Sequence, residues 1–334
     1  MPDLPAVKVI GTGGTITSIG HDRFDFVRYS DIGTRIPINE LLTRIPEAEL
    51  LATLSSEDLY KAASSDIGPP EWIEIARRIN QVYTANPETD GIVLTHGTGT
   101  MEETAYFLHL TVKSQKPVVM TGSMLPVTAI GTDADRNLYH AIVAAAHVDA
   151  CGRGVMVCLN NQIHGARDVT KSDPLRVETF QSFGFGVLGY ADSDGKVMFY
   201  RSTDRKHTTD TPFYVDDLQG LPRVDIIPIY AGTDDLLMNA ARANGSAGVI
   251  LAGVGGSSGS GTLKRSAEEA IRDGMIVVTA SRTPTGRAVI GLKRQRSGFI
   301  AADNLSPLKA RILLMLALTV TQDRDTIQKM FLEY

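Results

Sequence analysis

Residues 91–108 read GIVLTHGTGTMEETAYFL, and this stretch decides the fold class. Gly91 to Thr95 form a short apolar run with β-branched Ile92 and Val93, of the kind that lies buried on both faces in a parallel sheet. A tight turn follows, with Gly97 and Gly99 set among Thr95, Thr98 and Thr100. Thr100 and Glu103 then stand at the spacing of a capping box, ahead of a helix that begins near Met101. A strand that passes through a glycine-rich turn directly into a helix is the first half of a βαβ unit.

The same grammar extends in both directions. Val7 to Ile10 reads as a buried strand that ends in GTGGT at Gly11 to Thr15, and Pro117 to Thr121 and Val155 to Leu159 read as two more. Pro69 to Tyr83 (PPEWIEIARRINQVY) carries prolines in its first turn and apolar residues at helical spacing. From Arg201 to Leu221 the apolar rhythm gives way to charges, polar residues and prolines. Beyond it, Val224 to Tyr230, Gly248 to Ala252 and Met275 to Thr279 are expected as strands, with helices around Asp234 to Asn244 and Leu263 to Arg272. The expected organisation is two α/β domains: a larger N-terminal one with a mixed or parallel sheet over residues 1–200, a linker over 201–222, and a smaller parallel-sheet domain over 223–334.

With 334 residues and 43% hydrophobic content, the chain is long enough for two well-packed cores. A net charge of −5 with both signs scattered argues against a nucleic-acid surface, which needs clustered basic residues. No stretch approaches the roughly 18 apolar residues of a membrane span, and the opening MPDLPAVKVIG lacks the apolar region of a signal peptide. A soluble, cytoplasmic protein is expected, with no membrane or nucleic-acid partner. Cys151 and Cys158 are too few for a disulfide framework or a cysteine-rich metal site, and both are expected as small buried apolar residues.

In an open parallel sheet, ligands bind at the carboxyl ends of strands, where backbone amides point outward. Both threonine-rich turns are expected at such ends, offering Thr12, Thr15, Thr95, Thr98 and Thr100. A threonine hydroxyl is a weak nucleophile until a base or cation activates it, and glycine-flanked amides can hold an oxyanion. By pattern alone such turns serve either as nucleophile-bearing loops or as caps. A dinucleotide fingerprint fails at Ile16 in GTGGTI and at Ser258 in AGVGGSSGSG (252–261), and no GKS or GKT follows either cluster. A nucleotide-dependent oxidoreductase is therefore disfavoured.

The blocks GTGGTI, THGTGTMEETAYFL, KPVVMTGSM (116–124), ARDVTK (166–171), RKHTTDTPF (205–213), SRTPTG (281–286) and PLKARILLMLALT (307–319) occur in one order along the chain. In these blocks it resembles the homotetrameric bacterial asparaginase-glutaminase family nearly end to end. The resemblance implies an amidohydrolase that releases ammonia by double displacement, with no metal or organic cofactor. It implies Thr15 as the nucleophile, Thr98 as a second catalytic threonine with Lys171 as its partner, and Tyr29, on a lid loop over residues 18–36, as a further catalytic group. It also implies a small-molecule amide substrate and a homotetramer, a dimer of intimate dimers in which the second domain of one subunit closes the first domain of another.

The substrate subsite departs from the family. At Ala63, Ser64, Ser65 and Asp66, where the family reads GSQD, Ser64 keeps the hydroxyl that binds the substrate carboxylate, and Ser65 replaces a glutamine that contacts the α-ammonium. Gly97 and Gly99 of the second turn are expected at the substrate with Ser64 and Ser65, and Gly99 replaces the aspartate that in the family pairs with that ammonium and helps to position the lysine. A third acidic contact beyond the PTG turn has no counterpart in RAVIGLKRQRS (287–297), which carries Lys293, Arg294 and Arg296 instead. Burying an ammonium without a partner costs several kcal/mol. The expected substrate is an asparagine-like or cyclic amide with no free α-ammonium, and the basic trio either meets an additional anion or lies on an exposed loop. The alternatives are a weak L-asparaginase and a non-catalytic binding paralogue, against which the complete set of Thr15, Thr98 and Lys171 argues.

Overall fold

The computed structural model describes residues 4–256 and 259–334; Ser258 lies outside the described residues. The chain forms two compact units, Met1–Asp210 and Thr211–Tyr334. Among the described residues of the first, ten strands occur in chain order: β1 (Ala6–Gly13), β2 (Thr53–Ala62), β3 (Thr89–Thr95), β4 (Val118–Thr121), β5 (Val155–Leu159), β6 (Gln162–Gly165), β7 (Thr170–Lys171), β8 (Phe180–Gln181), β9 (Gly189–Ala191) and β10 (Val197–Phe199). Eight of these make one sheet in the order β10-β9-β6-β5-β4-β3-β1-β2, while β7 and β8 pair separately. From β2 to β5 the neighbours are parallel, and from β5 to β10 they are antiparallel.

The parallel part has the order 2-1-3-4-5, so the chain leaves β1 to one side for β2 and returns to its other side for β3. The crevice outside the carboxyl ends of β1 and β3 is thus a topological switch point, the place where open α/β sheets bind ligands. The two threonine-rich turns sit there, one after each strand.

Five helices serve this unit: α1 (Tyr29–Ile32), α2 (Ile38–Leu42), α3 (Pro69–Ala85), α4 (Met101–Thr111) and α5 (Ala134–Ala146). Pro69 and Pro70 open α3, where a missing N–H costs nothing, and the Glu71 carboxylate accepts the Gly68 N–H at 2.9 Å. Leu138, Ala141, Ile142 and Ala145 of α5 bury one face of the sheet with Val93 and Val119. Nearly every side chain of α4 is buried, including the charged Glu102.

The second unit holds the parallel sheet β11 (Val224–Pro228), β12 (Gly248–Gly253), β13 (Ile276–Ser281) and β14 (Ile300–Ala301). Helices α6 (Leu236–Ala243), α7 (Gly261–Arg272), α8 (Leu292–Arg296), α9 (Pro307–Ala317) and α10 (Arg324–Glu333) complete it. Met238, Leu263, Ala267 and Ile271 pack on Val249, Leu251 and Val277 to form its core. The α/β reading of both units, with the smaller parallel sheet second, agrees with the sequence. Residues 207–210 belong to the first unit, where the rings of His207 and His109 lie 4.8 Å apart and Lys113 Nζ donates to the Thr208 carbonyl at 3.0 Å.

Two local expectations are corrected. Thr100 does not cap α4 with its side chain; its Oγ1 donates instead to the Ser64 carbonyl, in the turn after β2, at 2.7 Å. Cys151 is exposed, at the end of a 3-10 turn over Val148–Ala150 that precedes β5, whereas Cys158 lies buried within β5 as expected.

Candidate active site

β1 ends at Gly13, Gly14 follows it, and Thr15 opens a short 3-10 turn. Gly14 has φ +85°, and a Cβ on it would lie 2.4 Å from Gly97 N. Only glycine lets the first turn press so closely on the second. Gly97 in turn admits no side chain against the third loop, since its Cβ would come within 2.8 Å of Ser64 Cβ. The loops after β1, β3 and β2 therefore stack as Gly14, Gly97 and Ser64, and this packing brings the hydroxyls together. Thr12 is spent on it: its Oγ1 donates to the Thr95 carbonyl at 2.7 Å in the core, so it is a tie between β1 and β3.

A chain of hydrogen bonds under the second turn fixes its peptides. Trp72 Nε1 donates to Thr104 Oγ1 at 3.0 Å, and Thr104 Oγ1 lies 3.0 Å from His96 Nε2. His96 Nδ1 meets the Gly97 carbonyl at 2.7 Å, and a carbonyl only accepts, so Nδ1 carries the proton and Nε2 accepts from Thr104. Burial pushes the His96 pKa down to about 4, which keeps the ring neutral and this tautomer in place. With the Gly97 carbonyl drawn inward, the Thr98 N–H of the same trans peptide points the opposite way.

Thr15 Oγ1 lies 3.1 Å from Tyr29 Oη. Tyr29 stands in α1 on a mostly exposed segment whose base is pinned by Ile19 N to Thr34 O at 3.0 Å and by Ile36 N to Thr17 O at 2.9 Å. On the neighbouring strand end, Lys171 Nζ donates to Thr98 Oγ1 at 2.8 Å. Burial holds the Lys171 ammonium below the usual lysine range, and the Asp173 carboxylate opposes that shift. A lysine so placed gives up a proton more readily than one in water, which suits a shuttle beside a hydroxyl. Thr15 with Tyr29 and Thr98 with Lys171 thus form two hydrogen-bonded pairs at the switch point.

Ser64 opens a 3-10 turn over Ser64–Asp66, and Ser65 is exposed with its Oγ 3.5 Å from Asp66 Oδ1. Gly99 is exposed, and a Cβ built there would stand 2.8 Å from Ser64 Oγ. The position next to that hydroxyl is empty of any side chain from residue 99.

The family model "Asparaginase, N-terminal" matches residues 6–205, and "Glutaminase/Asparaginase C-terminal domain" matches residues 223–331. The chain is 41% identical to the "Probable L-asparaginase periplasmic" of Haemophilus influenzae and 40% identical to the "L-asparaginase 2" of Escherichia coli, in each case over 99% of this chain and 94% of the relative. The crystal structure of a "Probable Cytoplasmic L-asparaginase" from Campylobacter jejuni is similar at a TM-score of 0.94 and 40% identity, covering 99% of this chain and all of that one. The chain belongs to the asparaginase family.

Within this asparaginase-family chain, every residue expected at the site except the basic trio lies in the first unit. In the second, the three cations of α8 divide. Arg294 Nη2 donates to Thr279 Oγ1 at 3.0 Å and its guanidinium lies 4.4 Å from the Phe299 ring centre, while Lys293 and Arg296 are exposed. Arg294 therefore packs its own unit and fits neither of the two readings given for the trio, an anion contact or an exposed loop, while Lys293 and Arg296 remain open to both. Sequence reasoning assigned no role to His96 or Glu102, although both stand in the deciding stretch. The Glu102 carboxylate accepts from Thr170 Oγ1 at 2.9 Å and from the Lys171 N–H at 3.2 Å. Its signal in the sequence was a charge in a helix whose other faces are apolar.

Proposed function

We propose that this protein hydrolyses a carboxamide by threonine double displacement, on a substrate that carries a carboxylate but no free α-ammonium. The observation that carries the reading is the pair of contacts Thr15–Tyr29 and Thr98–Lys171 at adjacent strand ends. Thr15 Oγ attacks the carboxamide carbon and its proton passes through Tyr29 towards the leaving nitrogen. The C–N bond breaks, ammonia departs and an ester remains on Thr15. Water, deprotonated through Thr98 and Lys171, attacks that ester, releases the acid and restores the hydroxyl. Outward-facing amides of the glycine-rich turns hold the oxyanion in both steps.

Ser64 supplies a hydroxyl for the substrate carboxylate, and the bare Gly99 offers nothing to an α-ammonium. An ammonium closed into such a site stays unpaired, so amides in which that position is unsubstituted or acylated are favoured. A second reading, turnover of L-asparagine itself, is supported by the names of the relatives. Ammonia release from asparagine, glutamine, succinamate and N-acyl asparagines separates the two, with Thr15→Ala as the control that loses turnover while keeping its melting temperature. A Thr15→Ala protein with full turnover would overturn the nucleophile assignment. The active assembly is read as a cytoplasmic homotetramer that needs no cofactor.

A further inference from the structure

Lys171 reaches Thr98 from a strand that is no part of the main sheet. β7 is two residues long and pairs only with β8, at Thr170–Gln181 and Lys171–Phe180. Strand pairs this short are not stable by themselves and take their position from what they dock on. Buried Val169, Thr179 and Phe180 anchor the pair, and its side-chain tie to α4 is Glu102, in the first turn of that helix and sixty-nine residues before Lys171 in the chain. One carboxylate oxygen, Oε1, receives both the Thr170 hydroxyl and the Lys171 amide. The other, Oε2, is buried with no partner among the described residues, and the residue as a whole is 7% exposed.

A buried carboxylate with one oxygen unpaired is a stability liability, since removing it from water is compensated only in part. Gly99 adds no carboxylate beside Thr98, so the strand bearing Lys171 is held from the α4 side. We infer that Glu102 is a positioning residue, whose carboxylate seats the backbone of Lys171 so that Nζ meets Thr98 Oγ1. It acts through the lysine and hydrogen-bonds to neither Thr15 nor Thr98 among the described residues. Misplacing a reacting group by about an ångström costs up to roughly 100-fold in rate, so the tie matters to turnover more than to binding.

The inference rests on the amidohydrolase reading, and its test keeps the two apart. Glu102→Ala is expected to lower kcat for ammonia release roughly 10- to 100-fold with KM changed less than about twofold. Glu102→Gln, which keeps an acceptor at Oε1 for both donors, restores most of that loss, and Thr170→Val, which removes one of the two bonds, gives a smaller fall. Amide hydrogen exchange at residues 170–171 accelerates in Glu102→Ala and stays near the parent rate in Glu102→Gln. Unchanged kcat in Glu102→Ala, equal damage in the alanine and glutamine variants, or exchange at 170–171 unmoved would each overturn the inference. A parent protein that releases no ammonia from any carboxamide defeats the functional reading instead, and the exchange measurement still decides the role of Glu102.

Discussion

At the scale of single residues, the proposal that this site does not hold an α-ammonium rests first on Gly99. Its φ is not left-handed, so the backbone accepts any side chain there, and what a new Cβ meets is the mobile end of Ser64, 2.8 Å away at Oγ. Gly99→Asp is therefore accommodated by a turn of the Ser64 hydroxyl, and it places a carboxylate where an α-ammonium would lie. With Ser65→Gln added, the ratio of asparagine to succinamate turnover is expected to rise roughly 10- to 100-fold, the worth of one charge-assisted hydrogen bond. Steady-state kinetics on both substrates check this, and an unchanged ratio would show that residue 99 does not face the α-position. Gly97 differs in kind. A Cβ there meets Ser64 Cβ at 2.8 Å and its N and Oγ at 3.1 Å, so a turn of the hydroxyl makes no room for it.

At the scale of elements, the turn after β3 works because the buried network of Trp72, Thr104 and His96 fixes the Gly97 peptide. The imidazole is held neutral in the folded protein, with its pKa down from 6.5 to about 4, while the unfolded chain takes up a proton near the ordinary value. Between those values the unfolded state binds more protons, so this contribution is present above pH 6.5 and is lost as pH falls towards 4. The loss amounts to at most roughly 3 kcal/mol. Urea denaturation at pH 7 and pH 4.5 is expected to show a larger drop for the parent protein than for His96→Gln, and equal drops would remove His96 from the account. The strands β1, β3, β4, β5 and β11 to β13 and the helices α3, α4, α6 and α7 were legible in the sequence because apolar period and proline placement report burial directly, whereas α5, α9 and α10 were not read as helices. The edge strand β2 was not, because Thr53–Ala62 alternates half-exposed polar residues and carries no buried run. Thr100 was misread as a cap because its sequence spacing is right, and the Ser64 carbonyl that takes its proton is 36 residues away. The seat of Lys171 was hidden for the same reason, since nothing local links Glu102 to Thr170.

At the scale of the whole molecule, the deciding fact is the strand order 2-1-3-4-5, which sets the turns after β1 and β3 side by side and gives two ordinary threonines a common site. Tyr230, Leu236 and Leu237 are exposed on the second unit, apolar surface of the kind that subunit contacts cover. Light scattering in solution is expected to give a mass near four chains of 36.0 kDa, and a fully active monomer would contradict the assembly. The claim on which the rest depends is that the hydrolytic machinery is kept while recognition of the α-ammonium is gone. Its most direct test is kcat/KM for ammonia release from succinamate and from L-asparagine, measured side by side on the parent protein. The account predicts that succinamate is the better substrate; a clear preference for L-asparagine would contradict it.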